Sequence, residues 1–189
     1  AGVKSIKNIQ ERLAARAKKT PKVQWIFGYQ EDDSKLAEKR HPTRWELDVA
    51  SKDHPISMST VGGHFSVLNS RAYEMAGVTK ETADPVGGKY DRDVKGEITG
   101  GAHEKALDIL IPAEAQLPTH EQSIEGAKTI LADCASMGLT CVYDLVDKSQ
   151  IRALIDLNTR GDLPIRMRMD ATIDLFSVLN ASGVHQMFG

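Results

Sequence analysis

Apolar positions along the chain change period several times, and each change marks an element. Over residues 5–19, Ile6, Ile9, Leu13 and Ala17 recur at helical spacing, while Lys4, Lys7, Arg12, Arg16, Lys18 and Lys19 occupy the other faces. Pro21 ends this helix. Residues 23–29 (VQWIFGY) are β-branched and aromatic and predict a strand. The charged stretch 31–44 reads as a loop or short helix. Over 55–60 (PISMST), Ile56, Met58 and Thr60 alternate with Ser57 and Ser59, the pattern of a half-buried strand, and Gly62-Gly63 breaks it. Residues 65–76 then predict a helix, with Leu68, Ala72 and Met75 on one face and Gly77 as its stop. Residues 81–88 are rich in turn formers. Residues 89–91 and 97–99 flank Asp93-Val94-Lys95-Gly96 and predict a hairpin. Residues 103–110 predict a short helix ahead of Pro112.

The grammar changes after Pro112. Thr119-His120-Glu121-Gln122 fits a capping box, in which the Thr hydroxyl caps a free N–H and the Gln reaches back. Ile124, Ala127, Leu131 and Cys134 form the buried face of that helix, and Gly138 is its left-handed stop. Residues 139–145 (LTCVYDL) predict a strand, and Asp147 caps a helix that buries Ile151, Leu154 and Ile155 and stops at Gly161. Residues 164–169 (PIRMRM) predict another strand, and 174–181 a last helix. Strands joined by helices of this length run parallel with right-handed crossovers. The chain is therefore expected to divide near residue 115, into an α+β segment (1–115) and two βα units of a parallel sheet (116–189).

Composition narrows the class. The 189 residues include 24 basic and 26 acidic side chains, 41% apolar residues and 5% aromatics, which is ordinary globular usage. No run of 18 or more apolar residues exists, so no membrane span is expected, and the N-terminus has no signal-peptide core. The basic helix over 5–19 reads as a solvated amphipathic face rather than a nucleic-acid surface, because the charge excess is local and the pI is 6.3. Cys134 and Cys141 form no CxxC pair and read as buried thiols in a reducing cytoplasm. A complete eight-stranded (β/α) barrel takes about 250 residues, so a whole one is excluded. Two parallel strands cannot shield both faces and both edges, so self-association through unpaired strands is expected.

No complete active site emerges from motifs. The histidines His41, His54, His64, His103, His120 and His185 show no HxH, HxxH or HxxxH spacing, and GxSxG, P-loop and GxGxxG patterns are absent. Individual candidates for substrate contact remain. His64 follows Gly62-Gly63, where glycines let a ligand approach the backbone. Asn69 is placed to orient a substrate or to face solvent. Glu104 can serve as an acid or base. Tyr143-Asp144 and Asp170 fall at the C-terminal ends of parallel strands, the edge where such sheets bind ligands. Each has a plainer alternative as a helix cap, salt bridge or surface group.

An ordered series of short matches points further. It runs Trp25-Ile26-Phe27-Gly28-Tyr29, Pro42-Thr43-Arg44-Trp45-Glu46-Leu47-Asp48, Asp53-His54-Pro55, Gly63-His64-Phe65-Ser66-Val67-Leu68-Asn69-Ser70 and Ala76-Gly77-Val78. It continues through Asp91-Arg92-Asp93, Gly96-Glu97, Thr99-Gly100, Glu104 and Met137-Gly138-Leu139-Thr140-Cys141-Val142-Tyr143-Asp144. The series resembles the amidohydrolase 3 branch of the metal-dependent amidohydrolases, which includes N-substituted formamide deformylases.

The resemblance implies a parent several hundred residues long, with a (β/α) barrel and a divalent metal, zinc by expectation, that activates water against amide-type C–N bonds. On this reading the chain is an internal piece: an α+β insertion followed by two βα units of an incomplete TIM-type barrel. The family's HxH motif would precede Ala1 and its later metal ligands would follow Gly189, so no catalytic residue, metal ligand or bound cofactor is expected in this chain alone, and the isolated chain is expected to be inactive. The Gly-His of the branch falls on Gly63-His64, with Asn69-Ser70 behind it, in a wall over the active site. Tyr143 stands where many relatives have a strand-end His. The alternative from another class is a non-enzymatic α/β ligand-binding or interaction module.

Overall fold

The computed structural model describes residues 2–171 and is a mixed α/β structure with two sheets. The chain divides into two compact units, residues 1–116 and 117–189.

The first unit is built on a five-stranded sheet of order β1-β2-β3-β5-β4. Its strands are β1 (Ile26–Glu31), β2 (Ile56–Thr60), β3 (Phe65–Leu68), β4 (Gly88–Arg92) and β5 (Ile98–Glu104). β1 and β2 are parallel, and the β2–β3, β3–β5 and β4–β5 pairs are antiparallel. The helices of this unit are α1 (Ile6–Ala17), α2 (Arg44–Asp48), α3 (Ser70–Met75), α4 (Lys105–Leu110) and α5 (Ala113–Gln116). Side chains alternate across a strand, and both faces of this sheet are covered. Ile26, Ile56, Met58 and Val67 pack with Ile6, Ile9 and Leu13 of α1 and Leu47 of α2. Leu68 and Ala102 pack with Ala72 and Tyr73 of α3 and Ala106 and Leu110 of α4.

Three expectations change here. Residues 65–76 are not one helix: 65–68 form β3, and the helix begins only at Ser70. The Gly62-Gly63 turn folds the chain back so that Val67 pairs with Met58 and Ser66 with Ser59. Asn69 then caps α3, its side chain accepting from the Ala72 N–H. β2 is also more buried than its alternation suggests, since Ser57 is only 2% exposed. The strand lies between β1 and β3, and its polar face lines a recess rather than open solvent. The first strand starts at Ile26 rather than Val23, which holds a left-handed φ of 70°. Helix α2 begins on a full capping box between Thr43 and Glu46.

The second unit runs α6 (His120–Ser136), β6 (Cys141–Val146), α7 (Lys148–Arg160) and β7 (Arg166–Ala171). β6 and β7 are parallel, with Tyr143 opposite Arg168 and Leu145 opposite Asp170. Both helices start on capping boxes, Thr119 with Gln122 and Asp147 with Gln150. α7 stops at Gly161, φ 72°, the left-handed geometry that glycine adopts without strain. Leu131, Val146, Leu154 and Ile165 form the core, with Ile124, Ala153 and Leu157 in a second cluster. Ile155 is exposed, a correction to the expected buried stripe, which instead passes through Ala153, Leu154 and Leu157. The helix expected over 174–181 lies outside the described residues.

Candidate functional site

In the first unit, a cavity of ≈ 300 Å³ opens on one face of the sheet. Alternation along the strands brings Phe27 and Tyr29 of β1, Ser57 and Ser59 of β2 and Ser66 of β3 to it, joined by Leu107 of α4 and Ile111 just after that helix. The rings of Phe27 and Tyr29 stack side by side, 6.3 Å between centroids, and Trp25 continues the strip 5.5 Å from Phe27. Ser57 and Ser66 are buried, at 2% and 3% exposure.

His64 and Glu104 stand at the rim and meet directly. The imidazole Nδ1 lies 3.1 Å from one carboxylate oxygen of Glu104 and 3.3 Å from the other. The backbones are joined as well, the Glu104 N–H donating to the His64 carbonyl at 3.0 Å. Glu104 adopts φ 49°, ψ −123°, a conformation rare for a residue with a side chain. A side chain at Gly88, the β4 partner of Glu104, would collide with the backbone of Lys105 and Ala106, so glycine lets this kink lie against β4. Both rim side chains are more than half exposed, so their ion pair adds little to stability and leaves polar atoms open to a ligand. Lys105 and Asp108, also on the cavity, pair with each other at 3.0 Å.

Asn69 is not part of this cavity. It is fully buried, its Oδ1 accepts from the N–H groups of Ile56 and Ala72, and its Nδ2 donates to the carbonyls of Ser51 and His54. With those bonds the amide is filled, so Asn69 joins β2 to α3 rather than orienting a substrate.

In the second unit, Tyr143 and Asp170 share a face of the β6–β7 pair, and the phenol donates to the Asp170 carboxylate. That hydrogen bond, with partial desolvation and the carboxylate charge, pushes the phenol above its usual pKa. Tyr143 and Asp144 lie in mid-strand rather than at its end, because β6 runs on to Val146. Alternation also puts Asp144 on the opposite face from Tyr143, together with Val142 and Val146. Asp144 and Asp170 therefore do not converge.

A further ionisable group lies on the other face of the first sheet. Glu31 is buried and bonds His41 at 2.7 Å; burial raises its pKa, and the His41 bond opposes the shift. Among the described residues, no three His, Cys, Asp or Glu side chains converge as a metal site. The described residues alone therefore do not assemble a site for a divalent metal.

The aromatic strip and the serine floor escaped the sequence reading. Ser57 and Ser59 looked like the solvent side of a half-buried strand, and reading 65–76 as a helix hid the adjacency of Ser66. The available signal was the two-residue period shared by Phe27 and Tyr29 and by Ser57 and Ser59.

Comparison with known proteins adds a family context. A model described as "Amidohydrolase family" matches residues 1–185. The Exoenzymes regulatory protein AepA of Pectobacterium carotovorum subsp. carotovorum is 31% identical over 170 residues, covering 87% of this chain and 36% of that protein. N-substituted formamide deformylase of Arthrobacter pascens is 28% identical over 143 residues, covering 74% and 26%. An uncharacterized metal-dependent hydrolase from Pyrococcus horikoshii OT3 superposes with a TM-score of 0.64 at 26% identity, over 100% of this chain and 35% of that one. The chain thus spans between about a quarter and about a third of the length of these relatives.

Proposed function

The chain belongs to the amidohydrolase family, and from that premise we propose that it is the substrate-pocket segment of a metal-dependent hydrolase acting on amide-type C–N bonds. The observation that carries this reading is the His64–Glu104 pair at the mouth of the cavity, in a chain matched by the family model nearly end to end. In this reading the first unit is an α+β insertion, and the second contributes two βα units to a (β/α) barrel. The divalent metal, zinc by our proposal, is held by groups other than residues 2–171. When bound it supplies an activated water.

The residues of this chain bind and orient. The His64 imidazole, held by Glu104, presents its second nitrogen to a carbonyl or amide N–H of the substrate. Tyr143 and Asp170 present a phenol and a carboxylate on one strand face. Asp144 would reach substrate only from the other face, so it is the weaker contact of the set. Among the described residues, no helix is long and apolar enough to cross a membrane; we place the protein in the cytoplasm and give it no nucleic-acid role.

A longer protein containing this segment, loaded with zinc, should hydrolyse simple N-substituted amides, and chelation should abolish the activity. The 189-residue chain supplied with zinc should not. Hydrolysis by the chain alone, lost on chelation, would overturn the assignment of the metal site elsewhere. No hydrolysis by the longer protein across formamides, acetamides and ureides would favour a second reading, a non-enzymatic ligand-binding or interaction module. The regulatory description of the 31%-identical relative is the observation on that side.

A further inference from the structure

The lining of the cavity specifies more than its location, and on the premise that it is a substrate pocket we propose that it selects a neutral, planar aromatic carboxamide. Three features lead to this class.

The floor is made of unpaired hydroxyls. Ser57 and Ser66 are 2% and 3% exposed, line the cavity, and have no side-chain hydrogen-bond partner among the described residues. Both hydroxyls are open to the cavity rather than sealed in the core, so they are free to bond a ligand. Ser59, directly across the β2–β3 ladder from Ser66, lines the cavity too. A hydroxyl both donates and accepts. A carboxamide, with a carbonyl oxygen and N–H groups, uses both capacities; a carboxylate uses only the first and an ammonium only the second.

The charges on the cavity are already paired. His64 is matched to Glu104 and Lys105 to Asp108. No charged group on the lining stands without a counter-ion, so an ionic ligand would give up its hydration without a free partner.

The wall is flat and aromatic. Phe27 and Tyr29 present adjoining rings, with Leu107 and Ile111 completing an apolar lining. Such a strip favours a planar ring over a puckered one. At ≈ 300 Å³ the space matches a ligand of one ring and one amide.

The test uses the 189-residue chain and four probes measured by calorimetry or saturation-transfer NMR: benzamide, benzoate, benzylamine and cyclohexanecarboxamide. Benzamide should bind at least about tenfold more tightly than each of the others. The double change Ser57→Ala with Ser66→Ala should weaken it about tenfold, the effect of one to two hydrogen bonds. Tyr29→Ala should weaken it about fivefold, the size of an aromatic contact. Tyr29 is 70% exposed, so that variant keeps the fold even if the serine variant does not. Absence of benzamide binding, equal binding of benzoate or benzylamine, or benzamide binding indifferent to Tyr29→Ala would overturn the proposal. Binding requires neither metal nor turnover, so the two readings fail separately. Selective benzamide binding beside a longer protein that hydrolyses nothing sinks the hydrolase and keeps the pocket. An active longer protein whose segment shows no such selectivity sinks the pocket alone.

Discussion

Replacing Asn69 by alanine should damage stability far more than ligand binding. The side chain makes four hydrogen bonds in a fully buried position, tying β2 and the loop before it to the start of α3. Alanine leaves the Ile56 N–H without an acceptor, at a cost of about 1–3 kcal/mol for a buried unsatisfied donor. It removes the cap on the Ala72 N–H, worth about 1 kcal/mol. The Ser51 and His54 carbonyls lose one donor each, for which water entering the void compensates in part. The total is about 2–4 kcal/mol, a large share of the 5–15 kcal/mol typical of a domain. Trp25 and Trp45 both belong to the first unit, so urea denaturation followed by tryptophan fluorescence reports on that unit. Asn69→Ser, which keeps only the cap, should recover about 1 kcal/mol of the loss. A loss below about 1 kcal/mol in Asn69→Ala, with weakened benzamide binding, would show that the residue faces a ligand and that the bonding scheme is wrong.

Other consequences are as direct. Gly88→Ala should cost about 1–3 kcal/mol by forcing the Lys105–Ala106 backbone away from β4, read as a drop in thermal midpoint. Glu46, hydrogen-bonded first to Arg40 and then to Thr43, has its pKa lowered to about 2, so its contribution is fully present above the ordinary 4.5 and is lost as pH falls from there toward 2. Glu46→Gln should flatten the acid limb of a stability–pH curve over that window, and an unchanged limb would contradict the pairing. β6 and β7 pair only with each other among the described residues, so the 189-residue chain should self-associate through open strand edges, raising its sedimentation coefficient with concentration. A monomer at every concentration would count against this.

What the sequence conveyed depended on how local the signal was. Thr119 with Gln122, Asp147 and Gly161 are recognisable because capping chemistry lies within a few residues. The Thr43–Glu46 box was equally local but sat in a charged stretch with no apolar stripe to announce a helix. Residues 65–68 failed for the opposite reason. Their apolar spacing suits either period, and only pairing with Met58 and Gly101 across the sheet decides for a strand. That error displaced Asn69 from its role as a cap and concealed Ser66. His64 and Glu104 could each be picked out by residue type and position. Their meeting, 40 positions apart in sequence, required the β3–β5 ladder. Tyr143 and Asp170 meet through the parallel register, while alternation along β6 puts Asp144 on the opposite face.

The central claim is that the His64–Glu104 cavity handles substrate in an amidohydrolase. Steady-state amide hydrolysis by the longer, metal-loaded protein tests it most directly, comparing the unmodified enzyme with His64→Ala. Because the pair is exposed, the fold should hold and thermal midpoints should agree within the change expected of a surface substitution. The account predicts a fall in kcat/KM of about tenfold or more, the size of one lost hydrogen bond to substrate. An unchanged kcat/KM in a folded, metal-loaded His64→Ala enzyme would contradict it.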